Sequence, residues 1–249
     1  GCSVSGIAQF ITTRGIHELK EWLEAGYDTI QDWDKQYSDW FAVPKSIKTT
    51  SVKPSGTVSL LAGATPGLHY PESRFYIRRV RLSKHSELIE PMKKAGYKIE
   101  PAYGSEDTTS VVEVPVDVGE GIRTAGELSI WEQFNIAAFM QRHWADNQVS
   151  CTVTFNPETE GEQIPHVLNY FQYHLKGISL LPRHDYGAYP QMPYEAIDEK
   201  EYNKQIKNLG KLSFGVIKNE EAEIDKFCNN DSCEVPSFTG DNDDQEYAN

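Results

Sequence analysis

The period of the apolar positions changes several times along the chain, and each change marks an element. Ile16, Leu19 and Leu23 fall at helical spacing before Gly26, which predicts a helix that stops there. Ile30, Trp33, Tyr37 and the pair Trp40–Phe41 predict a second helix, ended by Pro44. Residues 47–53 read as a short strand that runs into Pro54-Ser55-Gly56-Thr57. Phe75 to Leu82 and Ser110 to Val116 read as strands, the second with Val112, Val114 and Val116 alternating. Ser129-x-x-Glu132 is a capping box that opens a helix carrying Ile130, Phe134, Ala137, Ala138 and Trp144.

After Asp146-Asn147 the pattern turns to period two: Val149, Cys151, Val153 and Phe155 share one face of a strand. A helix over about 161–176 ends at Gly177, and Ile178–Leu181 makes a short strand. Residues 182–194 form a loop rich in Pro, Tyr and Met, and a helix near 199–209 precedes a polar tail. Strands alternating with helices predict an α/β fold with some parallel pairing.

Composition narrows this picture. A chain of 249 residues with 39% hydrophobic content can bury a core. No run approaches the roughly eighteen apolar residues of a membrane span, and no signal-peptide pattern opens the chain. Gly1 in place of Met hints at a fragment or processed product. A net charge of −13 argues against a nucleic-acid duplex as partner. From Asn219 onward ten acidic residues face Lys226 alone, so residues 219–249 read as a solvated acidic arm on a body of residues 1–218. Four cysteines in this length make no disulfide framework, which predicts a reducing, cytoplasmic setting. The seven histidines show no pair at metal spacing, so no protein metal site is expected.

Lys53-Pro54-Ser55-Gly56-Thr57-Val58-Ser59 holds the most informative local chemistry. Pro54 suits a first helical turn, Gly56 admits a ligand to the backbone, and Ser55, Thr57 and Ser59 carry hydroxyls. A strand entering a helix through such residues aims N–H groups at one point, which suits phosphate. An ordinary helix cap explains the same residues, and the Walker spacing is absent.

The segment Thr49–Leu61, followed by Gly67, resembles the substrate phosphate loop of ribonucleotide reductase large subunits. The resemblance continues through Gly6-Ile7-Ala8, Trp144-Ala145-Asp146-Asn147, Val149–Phe155 and Lys176–Pro182, in the family's order, and covers roughly residues 1–233. It is nearest to the monomeric, adenosylcobalamin-dependent triphosphate reductases. Leu180-Leu181 stand where the iron-dependent branch carries a radical-relaying tyrosine pair, and Cys228-x-x-x-x-Cys233 matches the spacing of the C-terminal redox pair.

The resemblance implies the C-terminal part of a ten-stranded α/β barrel with a flexible acidic tail. It implies reduction of ribonucleoside triphosphates by thiyl-radical chemistry, with Pro54, Ser55, Gly56, Thr57 and Val58 on the substrate phosphates. Cys228 and Cys233 would form the tail pair that thioredoxin or a similar dithiol protein reduces. Regions of about 62–123 and 182–221 would face adenosylcobalamin. The radical cysteine sits in an Asn-Pro-Cys-x-Glu type segment that this chain lacks, so an upstream portion of the reductase is an implied partner. A second reading, a non-catalytic subunit or remnant that acts only with a partner chain, stays open.

Bland alternatives stand beside several of these assignments. Cys228 and Cys233 flank Asn229–Ser232, a stretch able to turn back on itself, and two solvent-exposed cysteines without a role fit as well. Acidic neighbours work against the thiolate there, which suits a pair served by a dedicated reductant. Residues 234–249 extend past where the family tail usually ends. Cys2 and Cys151 read as non-catalytic, and His69, His85 and His184 as ligand contacts or as solvated or hydrogen-bonded surface groups. Arg74, Arg78, Arg79 and Arg81 suit phosphates or a corrin rim, or the edge of a charged strand. Tyr186, Tyr189, Met192 and Tyr194 face a cofactor or pin their loop to the body.

Overall fold

The computed structural model describes residues 1–56, 58–183 and 190–213. The acidic arm with Cys228 and Cys233 lies outside the described residues, as do Thr57, His184, Tyr186 and Tyr189. In chain order the elements are β1 (Cys2–Ser3), α1 (Ile7–Phe41), β2 (Thr50–Ser51), α2 (Val58–Leu61), β3 (Phe75–Ser83) and α3 (Ile89–Lys94). They continue with β4 (Lys98–Pro101), β5 (Thr109–Asp117), α4 (Ile130–His143), β6 (Thr152–Phe155), α5 (Pro157–Glu160), α6 (Ile164–Phe171), β7 (Ser179–Pro182), β8 (Tyr194–Ile197) and α7 (Glu199–Lys207).

Two layers result. In the first, β1 pairs parallel with β2 and β6 pairs parallel with β7. A parallel bridge between Val52 and Val149, with Ser150 N–H donating to Val52 O at 2.9 Å, joins the two ladders. The order β1-β2-β6-β7 is thus parallel throughout, as the alternation of strands and helices predicted. The second layer is an antiparallel sheet ordered β4-β5-β3-β8. Its short edge strands β4 and β8 were not legible in the sequence, since Lys98–Pro101 lacks an apolar alternation and Tyr194–Ile197 begins in a stretch read as loop.

The core sits where α1, α4 and α6 cover the parallel strands. Val149, Cys151, Val153 and Phe155 are all buried in it, as their period-two spacing required, together with Ile7, Leu23, Phe134, Met140, Trp144 and Phe171. Burial pushes the Cys151 thiol up to about 12, so it is a packed apolar group and no nucleophile.

Two helix boundaries differ from expectation. Gly26 does not end a helix; α1 runs on to Phe41, and its break lies at Gly15 (φ 84°, ψ 166°). Gly26 serves packing instead, because a Cβ there would lie 3.4 Å from Trp144 Cζ3. The predicted helix over 161–176 is shorter too, with α6 ending at Phe171.

The Ser129 capping box forms as read. Ser129 Oγ accepts from Glu132 N–H at 3.2 Å, and Glu132 accepts from Ser129 N–H at 2.9 Å. A 2.7 Å bond from Arg123, together with the Ser129 N–H, holds the Glu132 carboxyl down to about 2 from its usual 4.5. Its folded-state pKa is depressed, so its contribution to stability is present above 4.5 and is lost as pH falls toward 2. Glu132→Gln should therefore flatten the pH dependence of urea unfolding across that window. An unchanged profile would show that the carboxylate contributes nothing there.

Candidate functional site

Parallel strands present their carboxyl ends to one rim, which is where ligands bind in α/β sheets. Here β2 delivers Lys53–Val58 to that rim, β6 delivers Asn156, and β7 delivers Arg183, whose N–H donates to Phe155 O at 2.7 Å.

The loop from Lys53 is built by close contacts behind it. Lys53 N–H donates to Ser3 Oγ at 2.9 Å, tying it to β1. Gly67 (φ 51°) lies so near that a Cβ would stand 2.5 Å from Lys53 O and 3.2 Å from Pro54 O. The turn carrying Gly67 is anchored in its turn by α1: Gly6 N–H donates to Thr65 O at 2.9 Å, and the Gln9 side chain bridges Gly63 O and Thr65 N–H at 3.0 and 2.8 Å. Gly6-Ile7-Ala8 and Gly67 were singled out from sequence only by resemblance; the contacts supply their reason.

Within the loop, Pro54 and Gly56 are buried, Ser55 is half-buried, and the Val58 side chain is exposed. Ser55 adopts a left-handed φ of 56°, a conformation costing a non-glycine residue about 1–2 kcal/mol. Its carbonyl accepts from Ser59 N–H at 3.2 Å and from the Ser59 hydroxyl. Two expectations are corrected here. Pro54 does not occupy a first helical turn, because α2 begins only at Val58. Ser59 offers no hydroxyl to a ligand, because it is buried and spends it on Ser55 O. Among the described residues, no acceptor takes the N–H of Ser55 or of Gly56.

Asp146, which sequence reasoning noted only within a motif, holds β2 in register behind the loop. Its carboxylate accepts from Thr49 N–H and Oγ1, both at 2.9 Å, and from the Tyr27 hydroxyl at 2.8 Å. Desolvation would raise its pKa, but these hydrogen bonds outweigh it and the carboxyl stays below its ordinary range. Trp144 Nε1–H adds a bond to Ser51 O at 2.9 Å.

The arginines turn out to have protein partners. β3 is an inner strand, between β5 and β8, and not an edge. Arg79 pairs with Glu113 at 2.9 Å and with Glu195, and Arg74 with Asp117 at 3.2 Å. Arg78 stacks over the Tyr194 ring at 4.6 Å. His69 is half-buried and hydrogen-bonded: its Nε2 accepts from Thr152 N–H at 3.2 Å, and desolvation lowers its pKa, so it is a neutral structural link. Among the described residues no cluster of His, Cys, Asp or Glu could hold a metal ion, and no helix is long and apolar enough to cross a membrane.

No family model matches the chain. A probable adenosylcobalamin-dependent ribonucleoside-triphosphate reductase of Dictyostelium discoideum is 54% identical to it over 241 residues, which is 95% of this chain and 32% of that protein. The adenosylcobalamin-dependent ribonucleoside-triphosphate reductase of Euglena gracilis is 54% identical over 94% of this chain and 33% of its own length. This chain matches one portion of the adenosylcobalamin-dependent ribonucleoside-triphosphate reductases. A solved B12-dependent (class II) ribonucleotide reductase superposes on 84% of this chain and over 33% of its own length, with a TM-score of 0.75 at 33% identity. The chain spans about a third of the length of these relatives.

Proposed function

We propose that this chain is the C-terminal portion of a cytoplasmic enzyme that reduces ribonucleoside triphosphates to deoxyribonucleoside triphosphates, and that it works only with the upstream portion carrying the radical cysteine. The observation that carries the reading is the loop Lys53–Val58, set at the carboxyl end of a parallel strand in a chain 54% identical to such reductases. The body, residues 1–218, supplies late strands of the ten-stranded barrel. Residues 219–249 form the acidic redox arm.

In this reading Ser55 and Gly56 N–H groups, which lack acceptors among the described residues, bind substrate phosphate oxygens. Ser55 and Thr57 hydroxyls add two bonds, while Pro54 and Val58 shape the loop. Such contacts hold the nucleotide equally in ground and transition states, so they set KM more than kcat. Ser55→Ala with Thr57→Ala, in the complete enzyme, should raise KM for the nucleotide about tenfold or more with kcat little changed. Unaltered nucleotide affinity would remove the loop from the substrate site.

Adenosylcobalamin fits the regions assigned to it, 62–123 and 182–221, to this extent: β3 from the first pairs with β8 from the second. The Tyr194 hydroxyl is buried there with no hydrogen-bond partner among the described residues, and a ligand rimmed with amides suits such an atom. Tyr194 on β8 is the residue we would assign to hold it. Held there, the group would supply the radical chemistry, and the part of this chain's Tyr194 would be to bind and orient it. The ion pairs of Arg74 and Arg79 argue that these two brace the sheet and are not ligands.

A further inference from the structure

Helix α1 carries two faces that water should treat differently. Glu21, Asp28, Asp32, Lys35 and Asp39 recur on one side, all exposed, as a solvated charged row. Trp22, Trp33, Tyr37 and Trp40 recur at helical spacing on another side, and they too lie open: Trp22 is 62% and Trp40 64% exposed. Phe41 (73%) and Ile47 (96%) continue the patch past the helix end. The rings are already ordered against one another, with Trp33 and Tyr37 stacked at 5.3 Å and Tyr37 edge-on to Trp40 at 5.5 Å.

At 150–250 Å² per aromatic side chain, rings exposed to this degree present on the order of 500 Å² of apolar surface along this side, with Trp33, Tyr37, Trp40 and Phe41 in mutual contact. That is at the upper end of what a soluble monomer leaves bare, and more than half of one partner's share of a standard interface of roughly 800 Å².

We infer that this aromatic face of α1 seats the part of the reductase that lies outside this chain. The inference rests on the reading of the chain as one portion of that enzyme. Two observations choose this occupant over a second copy. The chain spans only 32–33% of its relatives, so in that reading the other two thirds of the reductase offers a surface to pack against it. And the acidic row beside the patch, on a body that is itself net negative, sets like charge against like in a pair of copies. The partner surface is therefore apolar, with basic residues along the rim that meets Asp28, Asp32 and Asp39.

The test is co-purification of the tagged chain with the complementary remainder of the Euglena gracilis reductase. Trp33→Ser, Tyr37→Ser and Trp40→Ser together should weaken capture by at least about tenfold. The same variant alone should keep the circular dichroism and unfolding midpoint of the parent, since these rings are solvent-exposed in the isolated chain. Hydrogen exchange should show residues 33–43 of the parent gaining protection in the complex. Capture of the parent and the variant alike, without that protection, would overturn the inference and leave the portion reading standing. Failure of the parent itself to bind would overturn the portion reading. A parent dimer that the substitutions dissolve, with capture of the remainder unaffected, would assign the face to a second copy and overturn the inference as well.

Discussion

Cys228→Ser or Cys233→Ser, in the complete enzyme, should lower steady-state turnover driven by thioredoxin on the order of 100-fold while sparing a single turnover. If the tail pair acts as the shuttle that the resemblance implies, the chemistry requires both sulfurs. One tail thiolate attacks a sulfur of the disulfide left in the active site, forming a mixed disulfide and releasing one thiol. The second tail thiolate then attacks the first tail sulfur, releasing the other thiol, so two electrons pass inward and the tail pair leaves as a disulfide. Thioredoxin returns it to the dithiol by the same exchange. A serine at either position stops the cycle after the pre-reduced site is spent. A small synthetic dithiol that enters the site directly should restore much of the rate. Unchanged thioredoxin-driven turnover in both single variants would refute the shuttle.

Gly67→Ala should be the most damaging single change near the loop. It forces φ near 51° on a residue with a Cβ and drives that carbon to 2.5 Å from the Lys53 carbonyl. Backbone lies on the far side of the clash, so the loop itself must move. We expect a loss of about 2–4 kcal/mol in denaturant unfolding, together with a raised KM for nucleotide in the complete enzyme. Gly63→Ala is the matched control, with φ 63° and nothing within 4 Å of the added carbon. It should cost only the conformational part, about 1–2 kcal/mol, and leave KM alone. Equal effects of the two would show that the contact with Lys53 and Pro54 does not matter.

Much of this architecture was legible because burial writes a period into the chain. The alternation Val149–Phe155 fixed a strand and its inward face, and Ser129-x-x-Glu132 fixed the start of α4. The features that escaped are those whose cause is distant in sequence. Gly26 reads locally as a stop, but Trp144, more than a hundred residues on, makes it a packing notch. Arg79 of β3 suits an anion or a charged strand edge until Glu113 and Glu195 are brought alongside. Ser59 reads as a spare hydroxyl until the left-handed turn at Ser55 aims a carbonyl at it. His69 reads as surface because nothing near it in the chain reveals that Thr152 N–H needs an acceptor. The loop at Lys53–Val58 was found from local chemistry, yet only resemblance ranked phosphate above a plain helix cap.

The central claim is that this chain is one working portion of a B12-dependent triphosphate reductase. The direct measurement is dithiol-driven formation of a deoxyribonucleoside triphosphate with adenosylcobalamin, by the chain alone and mixed with the upstream remainder of a related reductase. The account predicts product only in the mixture. Product from the chain alone, or none from a mixture in which the two parts demonstrably associate, would contradict it.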